Sequence, residues 1–288
     1  MKQRVISGVV IAALIVAGGL LGGYPLAVLI MVCSMIGYQE LARAVGVLEN
    51  GQKVNMLTGF VLAMTAVYYA GLMILQARWG DIPDQLVFAS DFFTTVIIVA
   101  VFLGIMTIYV LTFPKFRSEQ VMAAFFSFIY APILMAFVYR ARTLPYGIFM
   151  YALIFVCSSI CDTCALAAGM MFGKHKMAPV LSPKKTKEGA VGGLLGSAVC
   201  SVILAYLVRI VDPDADFRLR FLVIGICGAM ISMIGDLAAS AIKRNHDIKD
   251  YGSLIPGHGG IMDRFDSIIF TAPLIFILGV LLLGTAAL

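Results

Sequence analysis

Long apolar runs separated by short polar connections recur from one end of the chain to the other. A helix of about 20 apolar residues crosses the hydrocarbon core of a bilayer, and about nine such runs are present. They cover 5–22, 24–39, 55–76, 91–113, 120–139, 146–171, 190–211, 219–242 and 267–287. Backbone groups left unpaired in lipid are costly, so these runs are predicted as helices. Strands of an outer-membrane barrel would alternate polar and apolar residues, and these runs do not. No repeat of fixed period stands out, and no linker is long enough to separate two domains. The expected fold is an all-α polytopic membrane domain over 1–288, with N-terminal helices over about 5–139 and a motif-bearing half over about 146–288.

Composition agrees: 61% of the 288 residues are hydrophobic and 13% charged, against about a quarter charged in soluble domains. The start, "MKQRVISGVVIAALIVAGG", has the basic head and apolar core of a signal peptide. It has no clear small-x-small cleavage site, so a first transmembrane helix is expected. With nine crossings, fifteen of the 21 Lys and Arg fall on the side of the N-terminus. The positive-inside rule then places the N-terminus in the cytoplasm and the C-terminus outside. All three histidines, His175, His246 and His258, fall on that inner side. The six cysteines lie within apolar runs, and Cys157, Cys161 and Cys164 are spaced by four and three to share a helix face. With no second cysteine pair or nearby histidine, they read as packing residues rather than a metal site.

Two carboxylates interrupt the apolar pattern. A charge within a membrane helix normally faces a protein interior, a cavity or an ion. Asp162 is predicted about nine residues, roughly 14 Å, from the inner end of its helix; Asp236 is shallower. Ser232, Asp236, Ser240 and Lys243 recur at helical spacing and form one polar stripe, and Ser158 and Asp162 make a similar pair.

Two inner connections carry the remaining chemistry. In "FGKHKMAPVLSPKKTKEGAVGG" (172–193), a Ser-Pro-Lys-Lys-Thr turn is predicted to open into a helix with Glu188 in its first turn. Lysines beside a helix N-terminus suit phosphate binding. In "SAIKRNHDIKDYGSLIPGHGGIMDRFDS" (240–267), both charges alternate around small residues. Asp236 and Asp263, near the inner ends of consecutive spans, are candidates to meet on one hard cation; Mg²⁺ is usually held by one or two carboxylates with phosphates and water. Lysines, carboxylates and a glycine-rich loop on one face are the parts of phosphoryl or nucleotidyl transfer. An ion-coupled transporter is the alternative from another class, and would continue its polar groups to the outer side.

The run from Ser240 to Asp266 resembles the signature of phosphatidate cytidylyltransferases, also called CDP-diacylglycerol synthases. Ser240, Lys243, Arg244, Lys249, Asp250, Gly252, Ile255, Pro256, His258, Gly259, Gly260, Asp263, Arg264 and Asp266 match it without a gap. "SPKKTKEG", preceded by "GKHK", resembles the family's second marker, and Gly235-Asp236 stands where the family has Gly-Asp. Where the family commonly has Asp-Thr-x-Ala-Tyr, this chain has "DTCAL", with Leu166 in the tyrosine's place.

The resemblance implies that CTP and phosphatidate give CDP-diacylglycerol and pyrophosphate, with Mg²⁺ and room for a monovalent cation such as K⁺. Asp236 and Asp263 would hold the metal, with Asp162 beside them. Lys243, Arg244, His258, Asp263, Arg264 and Asp266 are the expected catalytic residues. Ser182, Lys184, Lys185, Thr186, Lys187, Glu188, Ser240, Lys249, Asp250, Gly259 and Gly260 are the expected substrate-binding set. CTP, phosphatidate and membrane lipids are the expected partners; nucleic acid is not expected, and a homodimer is compatible. The short chain suggests a bacterial inner membrane, with the active site facing the cytoplasm.

Overall fold

The computed structural model describes residues 2–48, 52, 54–255, 257 and 259–284. Its helices are α1 (Lys2–Leu21), α2 (Gly23–Ala44), α3 (Met56–Trp79), α4 (Pro83–Leu111), α5 (Ser118–Arg142) and α6 (Gly147–Phe172). Two short antiparallel strands follow, β1 (Lys176–Ala178) and β2 (Ser182–Thr186). After them come α7 (Lys187–Val211), α8 (Arg218–Asn245), the single turn α9 (Met262–Phe265) and α10 (Ile268–Leu283). Among the described residues, the seven helices α2 to α8 are long and apolar enough to cross a membrane. The protein is an all-α polytopic membrane protein. The first and last expected spans fall on α1 and α10, whose apolar stretches are shorter.

The Ser-Pro-Lys-Lys-Thr segment is a strand rather than the expected turn. Lys176 pairs with Thr186 and Ala178 with Ser182, so the lysines ride on a small hairpin.

Internal contacts divide the chain into two compact units, 1–139 with 246–264, and 140–245 with 265–288. In the first, α2 packs on α3 and on the middle of α5, and α3 on α4. Gly37 of α2 lies against Met135 and Ala131 of α5. A buried polar chain crosses these helices: Ser34 Oγ lies 2.7 Å from Tyr69 Oη, which donates to the Pro132 carbonyl at 3.3 Å. Pro132 sits in a π turn (Ile129–Ile133). Proline cannot supply the regular amide bond, and the wider turn is one way a helix accommodates that.

In the second unit, α6 packs on α7, α7 on α8 and α8 on α10. The approach of α6 and α7 depends on glycine: a Cβ on Gly193 would lie 3.0 Å from Cys161 Sγ, and one on Gly196 2.7 Å from Cys164 Cβ. Small residues at such contacts let helix backbones close up in lipid, where apolar burial drives little association. A second π turn, Val156–Ile160, precedes Asp162 and shifts the helical register there. Cys157 packs on Gly228 of α8 and accepts from the Ser197 hydroxyl of α7 at 3.6 Å, while Cys161 and Cys164 meet Gly193 and Gly196 of α7, so all three cysteines contact α7. Ser158 is buried and donates to the Ile154 carbonyl at 2.7 Å.

Candidate active site

The second unit holds an open cavity of about 480 Å³. Helix α6 contributes Asp162, Leu166, Gly169 and Met170, whose spacing puts them on one face. The hairpin contributes Met177, Ser182, Lys184, Lys185 and Thr186, and α8 contributes Met233 and Asp236. Each wall therefore mixes chemistries, with Asp162 beside Leu166 and Met170, the lysines beside Met177, and Asp236 beside Met233. Leu166, in the place of a phenol, adds to the apolar part.

Within the cavity the Lys185 ammonium pairs with Asp236 Oδ2, and both side chains are 25% exposed. Thr186 caps α7 by accepting from the Gly189 amide at 3.1 Å, which fixes the exit of the lysine-bearing strand. Glu188, of the expected substrate-binding set, bonds at the start of the hairpin. Its carboxylate lies 2.6 Å from His175 Nδ1 and accepts from the Lys174 and His175 amides at 3.2 Å, so it braces the start of the hairpin. Lys187 is exposed.

Asp236 has a further neighbour that its position in the sequence hides. A Cβ on Gly235 would meet the Asp266 carbonyl at 2.9 Å and the Phe270 side chain at 3.0 Å, so the glycine lets the chain entering α10 approach α8. Burial pushes the Asp266 carboxyl up to about 6, and the negative charges of Asp236 and, more weakly, Asp162 add to this. The Ser267 amide, 2.8 Å from Asp266 Oδ1, and the Lys243 charge oppose it. Along α8, Ser232 is fully buried and its hydroxyl has no partner among the described residues. Ser240 and Lys243 are half-buried, and Arg244 is exposed.

The glycine-rich segment belongs to the first unit. Asp263 is buried there, and its Oδ2 accepts from the Tyr251 amide at 2.8 Å and the Gly260 amide at 3.0 Å. Gly257 and Gly259 take φ values of 80° and 84°, the region open mainly to glycine. The Ile255 amide closes the loop on the Gly259 carbonyl at 2.9 Å. Lys249, Asp250 and Arg264 are exposed; His258 lies outside the described residues.

Glu40 went unnoticed in the sequence. It is 4% exposed on α2, and its carboxylate accepts from the Ile261 amide at 3.2 Å and the Met262 amide at 2.8 Å. The available signal was a carboxylate at the end of an apolar run. It was lost because the expected span stopped at 39, whereas the helix continues to Ala44.

Among the described residues, no three His, Cys, Asp or Glu side chains form a ready metal cage. Asp162 and Asp236 nevertheless face a cavity that already draws an ammonium group onto one of them. Two hard carboxylates, completed by phosphate oxygens and water, fit Mg²⁺.

A model of the cytidylyltransferase family matches residues 2–282. The chain belongs to the cytidylyltransferase family. The phosphatidate cytidylyltransferase of Bacillus subtilis is 31% identical over 284 residues, 96% of this chain and 97% of that protein. That of Staphylococcus haemolyticus is 29% identical over 281 residues, 96% and 98% of the two chains. A 165-residue match to the phosphatidate cytidylyltransferase of Staphylococcus saprophyticus is 41% identical and covers 57% of this chain and 62% of that protein. In this cytidylyltransferase, the structure gathers Asp162, Ser182, Lys184, Lys185, Thr186 and Asp236 around one cavity, with Asp266 in electrostatic reach of Asp236.

Proposed function

We propose that the protein transfers the cytidylyl group of CTP to phosphatidate, forming CDP-diacylglycerol and releasing pyrophosphate. The observation that carries this reading is the cavity in which Lys184, Lys185, Asp162 and Asp236 lie beside the apolar side chains of Leu166, Met170, Met177 and Met233. Such a site accepts a polyanion and, beside it, a lipid. A phosphate oxygen of phosphatidate attacks the α-phosphorus of CTP in line. A new P–O bond forms as the bond to the β-phosphate oxygen breaks, and pyrophosphate leaves with that electron pair.

The phosphate monoester is already largely ionised at neutral pH, so the protein needs no strong base. Its work is positioning and charge neutralisation. Lys184 and Lys185 neutralise phosphate charge in the cavity, Ser182 and Thr186 offer hydroxyls there, and Lys187, Lys243 and Arg244 add positive potential nearby. Asp236 and Asp162 are the residues that would hold Mg²⁺, which when bound supplies charge stabilisation at phosphate oxygens. Roles for Ser240, Lys249, Asp250, Gly259, Gly260, Asp263 and Arg264 rest on the signature they match.

Nine crossings with the N-terminus in the cytoplasm and the C-terminus outside would bring the lysine-rich hairpin to the cytosolic face of a bacterial inner membrane. CTP is then taken from the cytosol and phosphatidate from the bilayer. Purified protein in detergent, given CTP, phosphatidate and Mg²⁺, is expected to make CDP-lipid. Folded protein that makes none across a range of Mg²⁺ concentrations contradicts the proposal.

A further inference from the structure

Three consecutive amides of the glycine-rich segment end on two carboxylates. Gly260 donates to Asp263, its neighbour three residues on, whereas Ile261 and Met262 donate to Glu40, more than two hundred residues away. Gly259 and Gly260 are shaped by the same pair of acids. A Cβ on Gly259 would lie 2.9 Å from Asp263 Oδ2, and one on Gly260 would overlap both oxygens of Glu40. The Gly-Gly pair thus lets the backbone lie directly on two carboxylates in succession, and Gly252 approaches Glu40 from another direction.

Removing a carboxylate from water is costly unless charge-assisted hydrogen bonds compensate it. Glu40 has two such bonds, and both hold the backbone that leads into α9, where Asp263 and Arg264 follow at once. The Arg264 amide in turn donates to the Ile261 carbonyl at 2.9 Å.

We infer that Glu40 is a positioning residue for the reaction: its carboxylate fixes the 259–262 backbone and so sets the placement of Asp263 and Arg264. The inference deepens the cytidylyltransferase reading, on which its kinetic part rests. An amide-exchange readout stands apart from activity, so the two readings fail separately.

The experiment uses the full chain in detergent, with wild type, Glu40→Gln and Glu40→Asp compared. Glutamine keeps the size of the side chain but offers one oxygen, and its NH₂ would face an amide donor. In Glu40→Gln, amide hydrogen exchange over 259–263 is expected to rise about tenfold or more, while exchange in α3 and α4 stays at the wild-type rate. Turnover is expected to fall by about tenfold or more with the KM for phosphatidate held within about twofold. Glu40→Asp, which keeps both acceptor oxygens on a shorter arm, recovers part of each effect. Wild-type exchange over 259–263 in Glu40→Gln overturns the inference. So does uniformly faster exchange throughout the first unit in both variants, because it marks a residue needed only for folding.

Discussion

Lys185 and Asp236 are ion-paired inside a cavity that Asp162 also lines. A lysine from a hairpin and a carboxylate from a membrane helix therefore neutralise each other where a nucleotide phosphate and a cation would sit. Each partner is free to serve a ligand of opposite charge once one arrives. Lys185→Met is expected to lower kcat/KM for CTP by about 100-fold, the scale of losing one preorganised charge at a reacting phosphate. Lys185→Arg keeps the charge and should lose less. Steady-state kinetics with saturating phosphatidate checks both.

Metal removal should separate chemistry from folding. With Lys185 already balancing Asp236, the fold does not depend on a divalent ion at that carboxylate. Chelation is expected to stop turnover and Mg²⁺ to restore it, while the melting midpoint moves by less than about 4 °C. Thermal unfolding followed beside activity makes the comparison.

Asp263 is tied to the Tyr251 and Gly260 amides through one oxygen. Asparagine still offers an oxygen to both donors, whereas alanine offers none. Asp263→Asn should keep the melting midpoint near wild type and abolish turnover; Asp263→Ala should lose turnover and about 1–3 kcal/mol of stability as two buried amides lose their acceptor. Retained turnover in Asp263→Asn would remove its charge from the reaction.

The contact between α6 and α7 has no room for side chains at Gly193 and Gly196. Gly193→Val is expected to destabilise the protein by about 1–3 kcal/mol through overpacking and to disturb the cavity that Asp162 lines. By contrast, Tyr69→Phe removes hydrogen bonds to Ser34 and Pro132 and should cost about 0.6 kcal/mol, with turnover unchanged. Unfolding of both variants in detergent tests this ordering.

Hydrophobic length located the helices because the bilayer demands it. Asp162 and Asp236 stood out because lipid makes any intramembrane charge conspicuous. Other features left no such mark. The π turn before Asp162 is a hydrogen-bond shift invisible to a pattern of 3.6 residues. The lysines of 184–185 were expected in a turn because Pro183 precedes them, yet proline is tolerated in a two-stranded hairpin, where each strand has a free edge. Asp266 was named by the signature, but its closeness to α8, which Gly235 permits, was not legible there. Glu40 lay one residue beyond an expected span, and only the folded backbone brings it under Ile261 and Met262.

The most direct test follows one phosphorus atom. Purified protein is supplied with phosphatidate, Mg²⁺ and CTP labelled either at the α-phosphate or at the γ-phosphate, and the lipid and aqueous phases are counted. The α-label is expected in the lipid fraction as CDP-diacylglycerol, and the γ-label in the aqueous fraction as pyrophosphate. A γ-label in the lipid, or an α-label that never leaves the water while the protein remains folded, would contradict cytidylyl transfer.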